Sequence, residues 1–343
     1  MSDDATTGQR SYGSLLGYAF ALAGAVWVFH DLNLREVWQK MTIEHWGWIV
    51  LAVACDIATY VCQGIRWVLL VTPLGRLRVI KATQAIYAGL FTNEVLPMRA
   101  GELVRGYLVA KWLPARFASV LPSLLVERLL DGLWTAIAIG IAILAVKLPP
   151  NLKDAGYIFG IVILVLTAVF VFIVWREEET GQDPFGTQIK SKLLLKFMLT
   201  LRHVADGLRQ IGLGRIFYSA LGMTGVMIIL QVLAFWFVML GYGLHISIAS
   251  GAVVYLLMRI GTAIPNAPAN VGSYQFFTVL GLTLLGFDKT VATGFALVVF
   301  FVLTVPLWAL GLIAVGRSGT SLSAIRKDFQ KVVTGKKTAS GAV

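Results

Sequence analysis

Two apolar stretches of the chain are interrupted by proline and glycine, and these interruptions constrain the fold more than any other feature. The first stretch, residues 82–96, has 15 residues, which as a helix rise about 22 Å. That is too short to cross a hydrocarbon layer of roughly 30 Å. Pro97 and Gly101 end this helix, and residues 102–112 favour a second short helix. The pattern predicts a re-entrant helical hairpin whose tip is packed in protein, since lipid cannot hydrogen-bond exposed backbone groups.

Composition supports a membrane protein. Of 343 residues, 57% are hydrophobic and 14% charged, against about 25% charged in soluble domains. The net charge of +11 does not indicate nucleic-acid binding, because the basic residues flank apolar runs, where they set topology and contact anionic lipid. Cys55 and Cys62 lie seven residues apart on one apolar run, about 10.5 Å along a helix, which is too far for a disulfide.

The apolar runs divide the chain into a cytoplasmic tail at 1–11, a membrane domain at 12–316 and a basic cytoplasmic tail at 317–343. Residues 176–214 read as an amphipathic cytoplasmic loop that lies on an anionic surface or packs across the bundle. The first run also carries a weak signal-peptide pattern, which the acidic tail before it disfavours. Full spans are predicted at 12–29, 46–71, 116–147, 155–175, 215–241 and 290–316.

The distribution of basic residues predicts on which side of the membrane the termini and loops between these spans lie. Of the 29 Lys and Arg residues, 20 fall on the side that holds both termini, 5 on the other side and 4 within the membrane. Positive residues concentrate in cytoplasmic segments. We therefore expect both termini to be cytoplasmic, in a bacterial inner (plasma) membrane.

A second interrupted segment resembles the first. Its apolar part, residues 252–264, is broken at 265–270 and resumes at 271–286. Tyr87 lies ten residues before Pro97, and Tyr255 lies ten residues before Pro265. Three predicted spans separate the two segments, so the halves 46–147 and 215–316 would be inverted relative to each other. The predicted fold is thus all-α and polytopic, with six full spans and two re-entrant hairpins in an inverted repeat, and with a polar site at the midplane.

Charged residues within the predicted membrane region are the main site candidates, because an isolated charge at the centre of a membrane helix costs about 2.5–3.5 kcal/mol. Guanidinium groups bind phosphate through two donors, and helix N-termini attract the same anions. Glu127 and Asp131 share one helical face, about 100° from Arg128, and are expected to face the hairpin arginines. They either bind substrate or form a structural ion-pair network. The charged candidates are Arg99, Glu102, Arg105, Glu127, Arg128, Asp131 and Arg259.

Other polar residues in the same region are candidates for headgroup binding or proton coupling. Asp56 and Glu94 are candidate proton-coupling carboxylates, although Asp56 would equally suit a hydrogen bond to a neighbouring helix. Asn270 also suits a helix cap, and Tyr274 also suits packing at the membrane interface. The headgroup candidates are Asn93, Asn266, Asn270, Tyr274 and Gln275.

Three short patterns in these regions resemble a known family. They are Leu-Pro-x-Arg-Ala-Gly-Glu-x-x-Arg at 96–105, Glu-Arg-x-x-Asp at 127–131 and Ile-Pro-x-x-Pro-x-x-x-Gly-x-Tyr-Gln at 264–275. Together they resemble the flippase-like transmembrane region of lysylphosphatidylglycerol synthases and related standalone proteins. The resemblance spans roughly residues 64–316. It implies a protein that moves or handles lipids, which in different members include aminoacylated phospholipids, hopanoid-related lipids and polyprenyl-linked sugars. The chain shows no aminoacyl-transferase or glycosyltransferase domain, so we expect no synthase activity.

The sequence favours lipid translocation, in which a phosphate-bearing or other polar headgroup crosses a cavity between the two hairpins. We expect no enzyme activity, metal or cofactor, and anionic or phosphate-bearing membrane lipids as partners. One alternative is an accessory subunit for a partner lipid or glycan synthase. A membrane enzyme acting on lipid phosphates is less well supported, because all four histidines fall in loops or span ends and the first hairpin motif contains no serine.

Overall fold

The protein is helical throughout the part of the chain that the structure describes. The computed structural model describes residues 22–30, 34–95, 101–146, most of 150–168, 214–263 and 270–318. These residues form helices, turns and short links, with no strand among them. Residues 22–29 and most of 156–165 are helical. The remaining helices are α1 (Leu34–Lys40), α2 (Trp46–Val71, followed by a 3₁₀ turn at Thr72–Leu74), α3 (Val79–Val95), α4 (Gly101–Trp112), α5 (Phe117–Ala145), α6 (Arg215–Tyr242), α7 (Ile248–Gly261), α8 (Ser273–Leu284) and α9 (Lys289–Arg317).

Four of the described helices are long and apolar enough to cross a membrane. They are α2, α5, α6 and α9, with 26, 29, 28 and 29 residues. The shortest rises about 39 Å, more than the roughly 30 Å of a hydrocarbon core. Large apolar side chains lie on their outer faces, including Leu144, Ile141 and Ile229. Such a continuous apolar surface suits lipid, and the prediction of an all-helical integral membrane protein is confirmed.

The predicted spans agree closely with these helices. The span at 46–71 is α2 itself, and those at 116–147, 215–241 and 290–316 match α5, α6 and α9 to within two residues at each end. The region between the predicted spans at 12–29 and 46–71, to which no helix was assigned, contains α1, which buries Val37 and packs against α9. Apart from Gly214, Arg317 and Ser318, the predicted amphipathic loop and terminal tails lie outside the described residues.

Local interactions set several helix ends. The Ser247 hydroxyl caps α7 by accepting a backbone N–H bond, and Gly243 ends α6 with a φ of +93°, a left-handed conformation that favours glycine. The Asp288 carboxylate caps α9 by accepting backbone hydrogen bonds from Thr290 at 2.8 Å and Val291 at 3.3 Å. These bonds, that of Thr290 above all, lower the pKa of Asp288 because they stabilise its ionised form.

The two interrupted segments each form a pair of short helices in contact. α3 and α4 form the first pair and α7 and α8 the second, with lengths of 17, 12, 14 and 12 residues. In the first pair the backbones approach closely, since a Cβ on Gly101 would lie 1.8 Å from the carbonyl oxygen of Gly89. In the second pair the ring of Phe277 packs directly on Gly261. Glycine therefore permits the close packing of both pairs.

Each short pair belongs to a different hydrophobic core. The α3/α4 core includes the C-terminal parts of α2 and α9 and the N-terminal parts of α5 and α6. The α7/α8 core includes the opposite ends of the same four long helices. The most extensive contact between two helices lies between α2 and α6, while α3 packs against α9 and α7 packs against α5. The two short pairs thus sit at opposite ends of one bundle of long helices.

Candidate functional site

Arg66 lies at the centre of a buried group of charges. Its guanidinium is fully buried, and it donates from Nη2 to Glu127 Oε1 at 2.9 Å and from Nη1 to Asp131 Oδ1 at 2.5 Å. Nη1 also donates to the Thr224 hydroxyl at 2.9 Å. Nη2 of Arg105 lies 2.9 Å from Glu127 Oε2. We call Arg66, Arg105, Glu127 and Asp131 the charge cluster.

Trp67 supports the Arg105 end of the charge cluster. The Arg105 guanidinium carbon lies 5.0 Å from the centre of the buried Trp67 ring, a cation–π geometry. The Trp67 Nε1 donates to the Ser123 hydroxyl at 3.0 Å, which fixes the ring against α5. The Nε groups of Arg66 and Arg105 are buried without a hydrogen-bond partner among the described residues. The charge cluster is therefore closely enclosed by side chains of α2, α4 and α5.

The charge cluster is electrically balanced, with two arginines and two carboxylates. Glu127 and Asp131 were predicted to face the hairpin arginines. The contact of Glu127 with Arg105 confirms this for Glu127, whereas Asp131 pairs with Arg66 of α2. Removing one partner of a buried ion pair leaves an uncompensated charge and is strongly destabilising. The charge cluster thus joins α2, α4, α5 and α6, and its charges are already neutralised within the protein.

Arg128 and Glu102 form a second ion pair with much greater exposure. The Arg128 Nη2 donates to Glu102 Oε1, and the two side chains are 50% and 29% exposed. Arg128 follows Glu127 in sequence but points about 100° away around α5. It lies inside a membrane-spanning helix, where an exposed charge facing acyl chains is highly unfavourable. This pair is suited to contact with water or lipid headgroups.

The hydrogen bonds of Arg259 to described residues all go to neutral side chains. Its Nη1 donates to Gln231 Oε1 at 2.7 Å and to the Tyr255 hydroxyl at 2.8 Å, and its Nε lies 3.3 Å from the Thr135 hydroxyl. The Tyr255 hydroxyl in turn donates to Gln231 Oε1 at 2.8 Å. Among the described residues no carboxylate lies at ion-pair distance, although the carboxylate of Asp131 lies within electrostatic range of Arg259. No hydrogen bond of Nη2 to a described residue is found. We call Arg259, Gln231, Tyr255 and Thr135 the Arg259 site.

Asp56 lies in the middle of α2 and is 9% exposed. Within the described part of the chain it has neither a hydrogen-bond partner nor a cation at ion-pair distance. Four tyrosines from four helices lie within electrostatic range of its carboxylate: Tyr60, Tyr87, Tyr255 and Tyr274. The rings of Tyr60 and Tyr87 are 5.3 Å apart, and the buried Tyr87 hydroxyl has no described hydrogen-bond partner. We call these residues, with Asp56, the Asp56 site.

Several predicted headgroup ligands make structural contacts at the hairpin ends. Asn93 Oδ1 accepts a hydrogen bond from the Gly101 N–H at 2.7 Å, and Gln275 Oε1 accepts one from the Gly272 N–H at 2.8 Å. Each short pair is thus closed by an amide side chain bonded to a glycine at the break. Their role in binding a headgroup stays a prediction.

The remaining predicted residues differ in what the structure shows. Asn270 has a φ of +52° and lies three residues before α8, whose N-cap is Gly272, so Asn270 does not cap that helix. Glu94 Oε2 accepts a hydrogen bond from the Trp308 indole at 3.2 Å, which links α3 to α9. Arg99 and Asn266 lie at 96–100 and 264–269, outside the described residues.

Arg66 is the functional candidate that the sequence reasoning missed. Arg66 was one of the 20 basic residues counted on the cytoplasmic side in the sequence analysis, but its side chain is fully buried between helices, so it belongs with the residues inside the bundle. The sequence did contain a signal that Arg66 lies within the membrane region. Arg66 lies within the apolar run that ends at Val71, ten residues after Asp56 and five before that end, so it belonged with the intramembrane arginines.

Comparison with known families agrees with this geometry. Residues 14–311 match the family described as the lysylphosphatidylglycerol synthase TM region. The match covers most of the chain, and the protein belongs to this family. It is therefore a membrane protein related to lipid handling. No curated protein matches the chain.

Proposed function

We propose that the protein translocates a phosphate-bearing lipid across the membrane. The polar headgroup moves between the two short helix pairs while the acyl chains stay in the bilayer. Membership of a family related to lipid handling supports the lipid as substrate. The same proposal makes the protein a transporter rather than an enzyme, working in a bacterial inner membrane on anionic or phosphate-bearing lipids.

The Arg259 site is the observation that carries this proposal. Arg259 is partly buried in a membrane helix, yet its hydrogen bonds go to Gln231, Tyr255 and Thr135, which are all neutral. Arg66 and Arg105 form ion pairs with carboxylates. Arg259 has no carboxylate at ion-pair distance among the described residues, only Asp131 within electrostatic range, and it keeps a donor for a ligand. A phosphate oxygen is the natural acceptor for such a guanidinium, because charge-assisted bonds to phosphate are strong and directional.

The ion pair of Arg128 and Glu102 supports a polar route toward this site. It is partly exposed, and it sits on α5, which also carries Thr135 of the Arg259 site. Seven residues separate Arg128 from Thr135, about two turns or 10 Å along the helix. A headgroup passing Arg128 would therefore reach Arg259 by travelling along one helix.

The membrane arrangement that we propose has six full spans and two re-entrant hairpins. The apolar runs at 12–29 and 155–175 supply the two spans beyond α2, α5, α6 and α9. Location of the short pairs at opposite ends of the long helices supports entry from opposite faces. The packing of α3 on α9 and of α7 on α5 is reciprocal, as an inverted repeat of 46–147 and 215–316 requires.

Cysteine labelling tests this topology. In a variant with Cys55 and Cys62 replaced by Ser, single cysteines at the exposed positions His245 and Arg317 are treated with a membrane-impermeant maleimide in intact cells and in opened cells. We expect His245→Cys to label in intact cells and Arg317→Cys only after opening. Labelling of both from the same side contradicts the inverted repeat.

A leaflet-exposure assay tests the function. The protein is reconstituted into vesicles of phosphatidylcholine and phosphatidylglycerol that contain a trace of NBD-labelled phosphatidylglycerol or phosphatidylethanolamine. Dithionite bleaches only the outer leaflet, so translocation appears as bleaching of the inner pool. We expect translocation of labelled lipid by the wild type and at least a tenfold slower rate for Arg259→Gln, about the loss of one phosphate contact.

Arg116→Gln is the matched control, because it removes one positive charge from an exposed residue at the start of α5. It should translocate at the wild-type rate. The proposal is overturned if the wild type moves neither labelled lipid faster than protein-free vesicles, or if Arg259→Gln, with the same melting temperature as wild type, keeps the full rate.

A further inference from the structure

Asp56 has an environment that an ionised carboxylate does not tolerate. It is 91% buried on a membrane helix, since only 9% of its surface is exposed. No Lys, Arg or His of the described residues reaches it. An ionised carboxylate in an apolar setting without a cation or hydrogen-bond donor is strongly disfavoured. The carboxylate therefore needs a positive charge that the described side chains do not provide.

The groups facing Asp56 are weak acids or neutral. Its own helix contributes Cys55 and Tyr60, α3 contributes Tyr87, and α7 and α8 contribute Tyr255 and Tyr274. Glu94 of α3 lies within range of Tyr60 and is bonded to Trp308 of α9. From α6 the neutral Gln231 accepts a hydrogen bond from the Tyr255 hydroxyl at 2.8 Å. These groups add negative charge or none to the surroundings of Asp56.

A proton fits this site better than a metal ion. Sodium sites in transporters use carbonyl oxygens from unwound helices, whereas α2 is continuous from Trp46 to Val71 around Asp56. The nearby Cys55 carbonyl already accepts the Thr59 hydroxyl at 3.0 Å. Among the described residues, the oxygens offered to a cation are thus the carboxylate and phenol hydroxyls, a set that suits a shared proton.

Tyr255 connects the Asp56 site to the Arg259 site. Its hydroxyl accepts a bond from Arg259 and donates to Gln231, and it lies within electrostatic range of Asp56. A phosphate bound at Arg259 and an ionised Asp56 would place two negative charges around one tyrosine. Each therefore weakens the other, and by linkage a proton on Asp56 strengthens phosphate binding at Arg259 by the same factor.

We propose that Asp56 is a proton-binding site whose protonation couples headgroup binding at Arg259 to the proton gradient. The inference rests on the proposed function and adds its energy source. With Asp56 protonated, the headgroup phosphate binds Arg259. Release of the proton from the carboxylate oxygen to water leaves an anion that expels the phosphate. A headgroup is thus bound from the more acidic side and released on the more alkaline side.

Infrared spectroscopy tests the proton site without reference to transport. Purified wild-type protein at neutral pH should show the C=O stretching band of a protonated carboxylic acid. The band should disappear in Asp56→Asn and persist in Glu44→Gln, the matched control, because Glu44 is an exposed carboxylate in the link before α2. A wild-type spectrum without this band, or a band unchanged in Asp56→Asn, overturns the proton site even if the protein translocates lipid.

The leaflet-exposure assay under an imposed pH difference tests the coupling. We expect the wild-type rate to change about tenfold with the gradient, within the usual range of coupling between two sites, and the Asp56→Asn rate to change less than twofold. Glu44→Gln should respond as wild type does. A wild-type rate that follows a sodium gradient at constant pH, or ignores the pH difference while translocation proceeds, overturns the coupling. Absence of any wild-type translocation overturns both proposals, since a coupling needs a transport step.

Discussion

The charge cluster and the Arg259 and Asp56 sites treat buried charge in opposite ways. In the charge cluster, Arg66 and Arg105 are matched by Glu127 and Asp131 at distances of 2.5–2.9 Å. At the other two sites, Arg259 and Asp56 have no partner of opposite charge at ion-pair distance among the described residues. The charges of the cluster compensate one another. The Arg259 site is instead suited to bind an anion, and the Asp56 site is suited to bind a proton.

Location reinforces this difference. The charge cluster lies with the α3/α4 pair, where Trp67, Leu130 and other large side chains form a core around it. The Arg259 and Asp56 sites draw residues from α2, α3, α5, α6, α7 and α8, and so from both predicted halves. A substrate site in an inverted-repeat transporter lies between the repeats. The ion pairs of the charge cluster hold helices together, whereas under the proposed function the charge between the predicted halves is the one that serves transport.

Removing Arg66 should give the largest effect and test the structural side of this comparison. Arg66→Met leaves Asp131 without an ion-pair partner among the described residues and leaves Glu127 paired with Arg105 alone. Breaking a buried ion pair in this way costs about 3–5 kcal/mol. We expect a large fall in the yield of monodisperse protein in detergent and in its melting temperature. Arg116→Met, at an exposed position, should leave both unchanged.

The double variant Arg66→Met/Asp131→Leu separates charge from packing. It removes one cation and one anion and leaves the pair of Arg105 and Glu127 intact. Replacing a buried ion pair by apolar residues is often neutral, so the double variant should recover most of the stability lost in Arg66→Met. If Arg66→Met is as stable as the wild type, the charge cluster is not a structural lock, and its arginines become candidates for the substrate instead.

Much of the fold could be predicted from the sequence, because membrane-spanning helices are recognised by their length and their apolar composition. The bounds of α2 were predicted to the residue, and both short helix pairs were found from Pro97, Gly101 and the Pro-rich break at 265–268. The short helix α1 was missed, because its seven residues carry the charges and Trp of an ordinary interface link. Hydropathy does not distinguish such a helix from a loop.

The site was harder to predict, because the sequence shows which residues are charged but not which residues they pair with or hydrogen-bond to. Glu127 and Asp131 were expected to meet hairpin arginines, yet Asp131 meets Arg66, 65 residues away on α2. Gln231 and Thr135 are ordinary residues in apolar runs, and nothing local marks them as partners of Arg259. These pairings depend on how the helices pack against one another, and the spacing of residues along one helix does not predict that packing.

The pair of Arg128 and Glu102 should give the smallest effect and tests whether the route beside the charge cluster is wet. The stabilities of Glu102→Gln, Arg128→Gln and the double variant, measured by reversible unfolding in detergent micelles, form a double-mutant cycle. Because the two side chains are 29% and 50% exposed, we expect a coupling of about 0.2–1 kcal/mol, as for solvated ion pairs. Arg116→Gln combined with Glu102→Gln is the matched control and should show no coupling. A coupling of several kcal/mol would mean that the pair is shielded from water, and the headgroup route past Arg128 would then be wrong.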